Sequence, residues 1–212
     1  MNKWIMAGTA AAFTGAAAFA RSEYERTHLD VVHYDIKTDK LGLEWNGFKA
    51  VFLSDLHDNS FGMENEELIA AIEKEQPDIV LIGGDMLVVK EWAAPHFDML
   101  ANLYEKLVER YPVYYAFGNH EQRMKEEPLT YSGWWQSYWK VLKDSGMHVL
   151  VNKSEEIIKN GTAMRISGIT LPRECYRKGR IPSLSAGYLD QKLGKASDKN
   201  FELLLAHTPT FA

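Results

Sequence analysis

Val51-Phe-Leu-Ser-Asp-Leu-His57 is an apolar run that stops abruptly in an Asp-x-His pair. Phe52 and Leu53 call for burial, whereas Asp55 and His57, two residues apart, project from one side of an extended chain. The reading is a buried strand that hands two metal-competent side chains to its own carboxyl end. Three further runs end in the same way. Asp78-Ile-Val-Leu-Ile-Gly-Gly-Asp85 closes on an acid, and its paired glycines let another backbone or an ion approach closely. Val113-Tyr-Tyr-Ala-Phe-Gly-Asn-His-Glu121 closes on Asn119 and His120, and Phe201-Glu-Leu-Leu-Leu-Ala-His207 on His207. A single Asp-x-His after a strand is more often a turn or a cap than a site. Four strands that each terminate in Asp, Asn or His describe one rim of a sheet that gathers oxygen and imidazole ligands.

The ordered set resembles the motifs of the calcineurin-like metallophosphoesterases. Asp55-Leu-His57 looks like the family's D-x-H box, Gly83-Gly-Asp85 its G-D box, Gly118-Asn-His-Glu121 its G-N-H-E/D box, and His207 its next single-histidine box. The resemblance implies an α/β fold, a two-sheet sandwich flanked by helices, and a site for two divalent metal ions. It places Asp55 and His57 on the first ion, Asp85 between the two, and Asn119 and His207 on the second. His120, with Asn119, would meet the substrate phosphate, and His120 would act catalytically by protonating the leaving oxygen. Glu121 would support its neighbours. Such mixed nitrogen and oxygen ligands suit manganese, iron or zinc without enforcing one of them. Phosphate esters resist attack because their negative oxygens repel hydroxide, and two metals about 4 Å apart answer this by activating water and neutralising those oxygens. The implied activity is hydrolysis of a phosphomonoester, phosphodiester or pyrophosphate.

The family's final G-H-x-H box has no counterpart in this sequence. In the family it supplies a histidine to each metal, and further strands complete the second sheet. The expectation is therefore a C-terminally incomplete domain, a fragment whose last strand leaves an apolar edge uncovered. The alternative is a naturally short, non-catalytic relative that binds metal or phosphate at a membrane surface.

The 212 residues, 46% apolar and 25% charged, fit one globular domain with an appendage. A net charge of -5 leaves no basic footprint for nucleic acid, and the lone Cys175 excludes an internal disulfide. Phosphate-loop, serine-elbow and His-Glu-x-x-His patterns are absent, which disfavours other enzyme classes. No obligate protein partner is indicated. After Lys3 the chain is uncharged and Ala-rich from Trp4 to Ala20, at the short limit for a membrane span. Ala18-Phe-Ala20 reads as a cleavage site. The expected layout is residues 1–20 as transmembrane anchor or signal peptide, 21–45 as linker and edge strand, and 46–212 as the phosphoesterase domain. That layout puts the catalytic domain outside the cytoplasm, held at the cell membrane or secreted. Its partners would be the membrane and a phosphorylated small molecule or lipid of the cell envelope.

Alternation over residues 29–36 predicts the edge strand, with His33 on its surface. Residues 64–75 carry Leu68, Ile69 and Ile72 at helical spacing, closed by Pro77, so the strands ending at Asp55 and Asp85 form a right-handed β-α-β unit. Residues 92–110 predict a helix with Trp92, His96, Leu100, Leu103 and Leu107 near one stripe, which makes His96 a packing residue. Residues 131–142 predict an aromatic helix. Trp135, Trp139 and Leu142 face inward as core, or Trp134, Trp135 and Trp139 form a rim over the site suited to an amphiphile. Residues 147–151 read as a short strand, and Asn160-Gly161 as the turn of a hairpin. Arg123 is a solvated arginine or a phosphate contact.

Overall fold

Every residue of Ile79–Ile82 is apolar and buried, which is the mark of a strand covered on both faces. In the computed structural model, which describes residues 3–131, 133–176 and 182–208, that strand (β2) lies inside a parallel sheet. Ala50–Leu53 (β1) pairs with one side of it, and Val113–Tyr115 (β3) with the other. His148–Val149 (β4) joins β3 to give the order β1-β2-β3-β4. The second sheet is Lys153–Lys159 (β5), Thr162–Ile169 (β6) and Phe201–Ala206 (β7). β5 and β6 form the predicted hairpin, and Asn160 and Gly161 take the positive φ values, 48° and 87°, of its two-residue turn. β7 then pairs in parallel along β6 from Met164 to Ile169.

Period-2 geometry sorts the strand residues into layers. Ile79, Leu81 and Tyr114 meet Met164, Ile166 and Leu205 between the two sheets. Val80, Ile82, Val113 and Tyr115 face the other way, onto the helices Glu66–Glu75 (α2), Phe97–Val108 (α3), Asn119–Glu126 (α4) and Trp134–Asp144 (α5). Ile169 and Leu171 pack on the outer side of the second sheet with Tyr188 and Leu189 of Tyr188–Leu193 (α6). The result is the expected two-sheet sandwich flanked by helices. The expectation of a C-terminally incomplete sandwich is corrected. Both sheets assemble within the described residues, and β7 is paired over its whole length.

The expectation of an N-terminal transmembrane anchor is also corrected. The helix Lys3–Thr27 (α1) runs unbroken through residue 20. Among the described residues no helix is long and apolar enough to cross a membrane. Ala, Gly and Thr dominate the run and contribute too little apolar surface per residue. The membrane anchor falls with that finding, and so do the membrane and lipid partners and the extracytoplasmic placement that rested on it.

Three local readings change. Residues 29–36 form no strand, and Val31, Val32, Tyr34 and Ile36 stay exposed, because β1 pairs only with β2. His33 lies on the surface, its Nε2 2.9 Å from Glu75 Oε2. The helix expected from residue 92 begins at Phe97, since Pro95 disfavours helical geometry just before it. Trp92 is accordingly 82% exposed, and His96 is an exposed cap residue instead of a packing one. Phe52 sits opposite Leu81 on the inter-sheet face, yet it is 59% exposed because β1 is an edge strand. Trp134, Trp135 and Trp139 pack against the helical core, with Trp135 edge-on to Phe117 at 5.6 Å.

Candidate metal centre

The chain leaves each parallel strand through a tight, stitched loop. Asp55 N–H donates to Gly84 O at 3.0 Å, His57 N–H to Asp85 O at 3.1 Å and Asp58 N–H to Met86 O at 3.1 Å. The loops after β1 and β2 are thereby sewn side by side beyond the sheet. Asp55, His57 and Asp85 have φ values of 57°, 54° and 52°, a left-handed conformation that Asp tolerates better than branched residues. The pair therefore does not project from an extended strand, as the sequence suggested. It is turned inward after the strand has ended, a strained arrangement of the kind found at functional sites.

The loop after β3 is pressed against the same place. A Cβ on Gly84 would strike the Gly118 backbone, and one on Gly118 would strike Asp85, so only hydrogen fits at both. Glu121, three residues into α4's first turn, fastens the contact. Its Oε2 accepts the N–H groups of Asp85 (2.9 Å) and Gly118 (3.0 Å), and its Oε1 accepts Met86 N–H (3.0 Å) and the Tyr115 hydroxyl (2.8 Å). Burial pushes the Glu121 carboxyl up to about 7, and the Asp85 charge adds to it. All four partners are donors, however, and only a carboxylate accepts from four. Behind it stands a buried chain of phenols. Tyr115 Oη lies 2.6 Å from Tyr138 Oη, which lies 2.9 Å from Tyr104 Oη. Glu121 was legible as support from the motif, but the phenols were not, because Tyr104, Tyr115 and Tyr138 are scattered in sequence.

These loops converge on Asp85, a carboxylate only 2% exposed. Its Oδ2 lies 3.2 Å from His207 Nε2, 3.3 Å from His57 Nε2 and 4.0 Å from His120 Nε2. Asp55 Oδ1 stands 3.8 Å from His57 Nε2 and 3.9 Å from His207 Nε2. Asn119 fits with its nitrogen toward Asp85 Oδ2 and its oxygen toward His120 N–H, both at 3.2 Å. Asp55, His57, Asp85, Asn119, His120 and His207 are thus brought together. Within that set, two groups of donors each lie inside 4.8 Å: His57, Asp85 and His120, and Asp55, Asp85 and His207. Asp85 belongs to both. The expectation of an incomplete site is corrected, since two donor groups sharing Asp85 close among the described residues.

The electrostatics suit cations. Burial alone would raise the Asp85 carboxyl, but hydrogen bonds from His207 and the His120 amide, with the charges of both histidines, hold it down at about 2. For His207, burial works against the charged ring, and Asp85 and Asp55 overcome it, giving about 9. Its Nδ1 lies 3.1 Å from the Gly83 carbonyl, which can only accept. Nδ1 therefore carries a proton and Nε2 is aimed at Asp85. His120 is arranged oppositely. Val89 N–H donates to its Nδ1 at 3.0 Å, so in the neutral ring the proton sits on Nε2, facing the cluster. Burial keeps this ring below its ordinary value, more strongly than Asp85 raises it. A carboxylate shared by imidazoles, with a second carboxylate beside it, matches the hard and borderline donors that divalent transition ions take. The two clusters are positioned to bind a pair of divalent metal ions.

The sequence profile of calcineurin-like phosphoesterases matches residues 48–211. The chain belongs to the calcineurin-like phosphoesterase family. Two curated proteins are similar to this family member. The Bacillus subtilis (strain 168) protein named Uncharacterized metallophosphoesterase YkoQ is 28% identical over 157 residues, which make up 74% of this chain and 52% of that protein. The Escherichia coli (strain K12) protein named Phosphodiesterase YaeI is 29% identical over 166 residues, 76% of this chain and 53% of that protein. The chain spans about half the length of these relatives.

Proposed function

We propose that this chain carries the active site of a metal-dependent phosphoesterase that hydrolyses phosphodiesters. The observation that carries the reading is Asp85, one buried carboxylate shared by two clusters that each hold a histidine and a further donor. Asp55, His57, Asp85, Asn119 and His207 would hold the two ions, with Asp85 the carboxylate common to both groups. Bound divalent ions supply Lewis acidity, which neutralises phosphoryl oxygens and lowers the pKa of water. The chain's own residues do the rest. Gly83 O holds His207 with its Nδ1 protonated and its Nε2 toward the cluster, and Glu121 ties the loop that carries Asp85 to the loop that carries Asn119. His120 presents Nε2–H to the cluster, where it would donate a hydrogen bond to a phosphoryl oxygen and orient it. The name of the Escherichia coli relative favours a diester over a monoester or pyrophosphate.

The test is hydrolysis of bis(4-nitrophenyl) phosphate and 4-nitrophenyl phosphate with manganese or zinc added, alongside metal quantification. The expected result is chelator-sensitive turnover that favours the diester. Asp85→Asn is expected to lower it at least about 100-fold without loss of secondary structure, because it removes the charge both ions share. Turnover that persists in that variant or in excess chelator contradicts the proposal.

A further inference from the structure

Besides Asn119 and His120 at its start, α4 carries a polar stripe that faces a recess. Asn119, Gln122, Arg123 and Glu126 fall at i, i+3, i+4 and i+7 and therefore share one stripe. That stripe lines a cavity of about 160 Å³ closed on its other side by Arg173 and Tyr176. The cavity abuts the metal centre at two points. Asn119 is within 3.2 Å of Asp85, and the Tyr176 ring lies 6.3 Å from that of His207.

The charges around it are unevenly satisfied. Arg173 forms an ion pair with Glu127, and Glu126 accepts from Gln122 Nε2 at 2.8 Å. The Gln122 amide is further fixed by donating to Leu171 O at 2.9 Å. Arg123 is half-buried, and its guanidinium makes no hydrogen bond or ion pair among the described residues. Tyr176 Oη accepts Leu171 N–H at 3.4 Å, and its own proton has no acceptor among those residues. A planar guanidinium and a phenolic hydroxyl, both with donors to spare, thus line a recess one helical turn from Asn119.

We infer that this recess is a subsite for a second anionic group, carried on the alcohol portion of the substrate. The inference rests on the phosphodiester reading and narrows it to esters bearing a carboxylate or a further phosphate beside the scissile group. Arg123 holds that group through its paired N–H donors, which match a carboxylate or phosphate edge. The recess borders Asn119, so the second anion is expected within a few carbon atoms of the scissile phosphate.

The experiment compares binding of the phosphate ester of 3-hydroxypropionate and the bisphosphate of 1,3-propanediol with that of propyl phosphate, by calorimetry on the manganese-loaded full chain. Both doubly anionic ligands are expected to bind about ten-fold more tightly than propyl phosphate, the difference one good charge-assisted pair confers. Arg123→Ala is expected to close that gap, and Arg123→Lys to restore part of it, with circular dichroism and metal content as controls on folding. A preference for one doubly anionic ligand alone identifies the group as carboxylate or as phosphate. Equal affinity of all three ligands, absence of binding, or a gap that survives Arg123→Ala overturns the inference. Because binding needs no turnover, the two proposals fail separately. Diester hydrolysis without the Arg123-dependent gap leaves the phosphoesterase reading standing, and the gap without hydrolysis leaves the subsite standing.

Discussion

Asp85 and His207 hold each other in opposite charge states, and the sign of that coupling decides how the site takes up metal. The His207 ring, raised from its usual 6.5 to about 9, carries two protons at neutral pH in the ion-free protein. A cation on Nε2 must displace one of them, so uptake releases a proton at any pH below about 9. Affinity should rise roughly ten-fold per pH unit between pH 6 and 8, one released proton being worth that slope. Calorimetric titration with manganese at several pH values checks this, and His207→Ala should flatten the dependence. Folding stability of the ion-free chain carries the opposite sign. The His207 contribution is fully present below pH 6.5 and is lost as pH climbs through about 9. Glu121 makes a second test at this scale. Glu121→Gln keeps the shape but turns an amide NH₂ toward N–H donors, leaving buried groups unpaired at a cost of about 1–3 kcal/mol. Urea unfolding measures it, and manganese affinity should fall as the two loops that Glu121 ties together loosen. The ligand letters were readable from the motifs. The tautomers of His120 and His207 were not, because Val89 N–H and Gly83 O reach them from loops far away in sequence.

At the scale of elements, the strand ends were legible because apolar runs stop at polar residues, and the hairpin because Asn-Gly suits a turn with two positive φ angles. The start of α3 and the missing strand at residues 29–36 were not. Periodicity says that a face exists but not whether another element comes to cover it. Glycine shows the same divide. Gly84, Gly118 and Gly161 are the same letter, yet only the first two stand where backbones touch. Gly84→Ala adds a Cβ against the Gly118 amide at φ 93°, and overpacking of this kind costs about 1–3 kcal/mol beyond the backbone strain. It should also separate the loops that carry Asp85 and Asn119 and so weaken metal binding. Gly161→Ala meets nothing within 4 Å and should cost only the left-handed backbone, about 1–2 kcal/mol, with manganese affinity unchanged. Thermal unfolding with and without manganese separates the two.

Across the whole molecule, the centre is the place where the two sheets are made to agree. Asp55, His57, Asp85 and Asn119 arrive from the parallel sheet, and His207 alone arrives from the other, on the end of β7. What sets His207 against Asp85 is therefore the inter-sheet core, in which Leu205 stands two residues before it, packed with Leu81 and Ile166. Leu103, on α3, is as deeply buried but lies on the helical side of the parallel sheet. Truncation to alanine at either position should cost about 2–5 kcal/mol. The two variants should differ in what manganese does for them. An ion that binds only the folded state stabilises by about 2.7 kcal/mol when present at 100 times its Kd, so the wild type should gain several degrees in Tm. Leu103→Ala should retain that increment, because its cavity leaves both sheets in register. Leu205→Ala should lose most of it, because β7 no longer holds His207 within 3.2 Å of the shared carboxylate. Equal metal-induced shifts in both variants would mean that the site assembles on the parallel sheet alone, with His207 following instead of being placed.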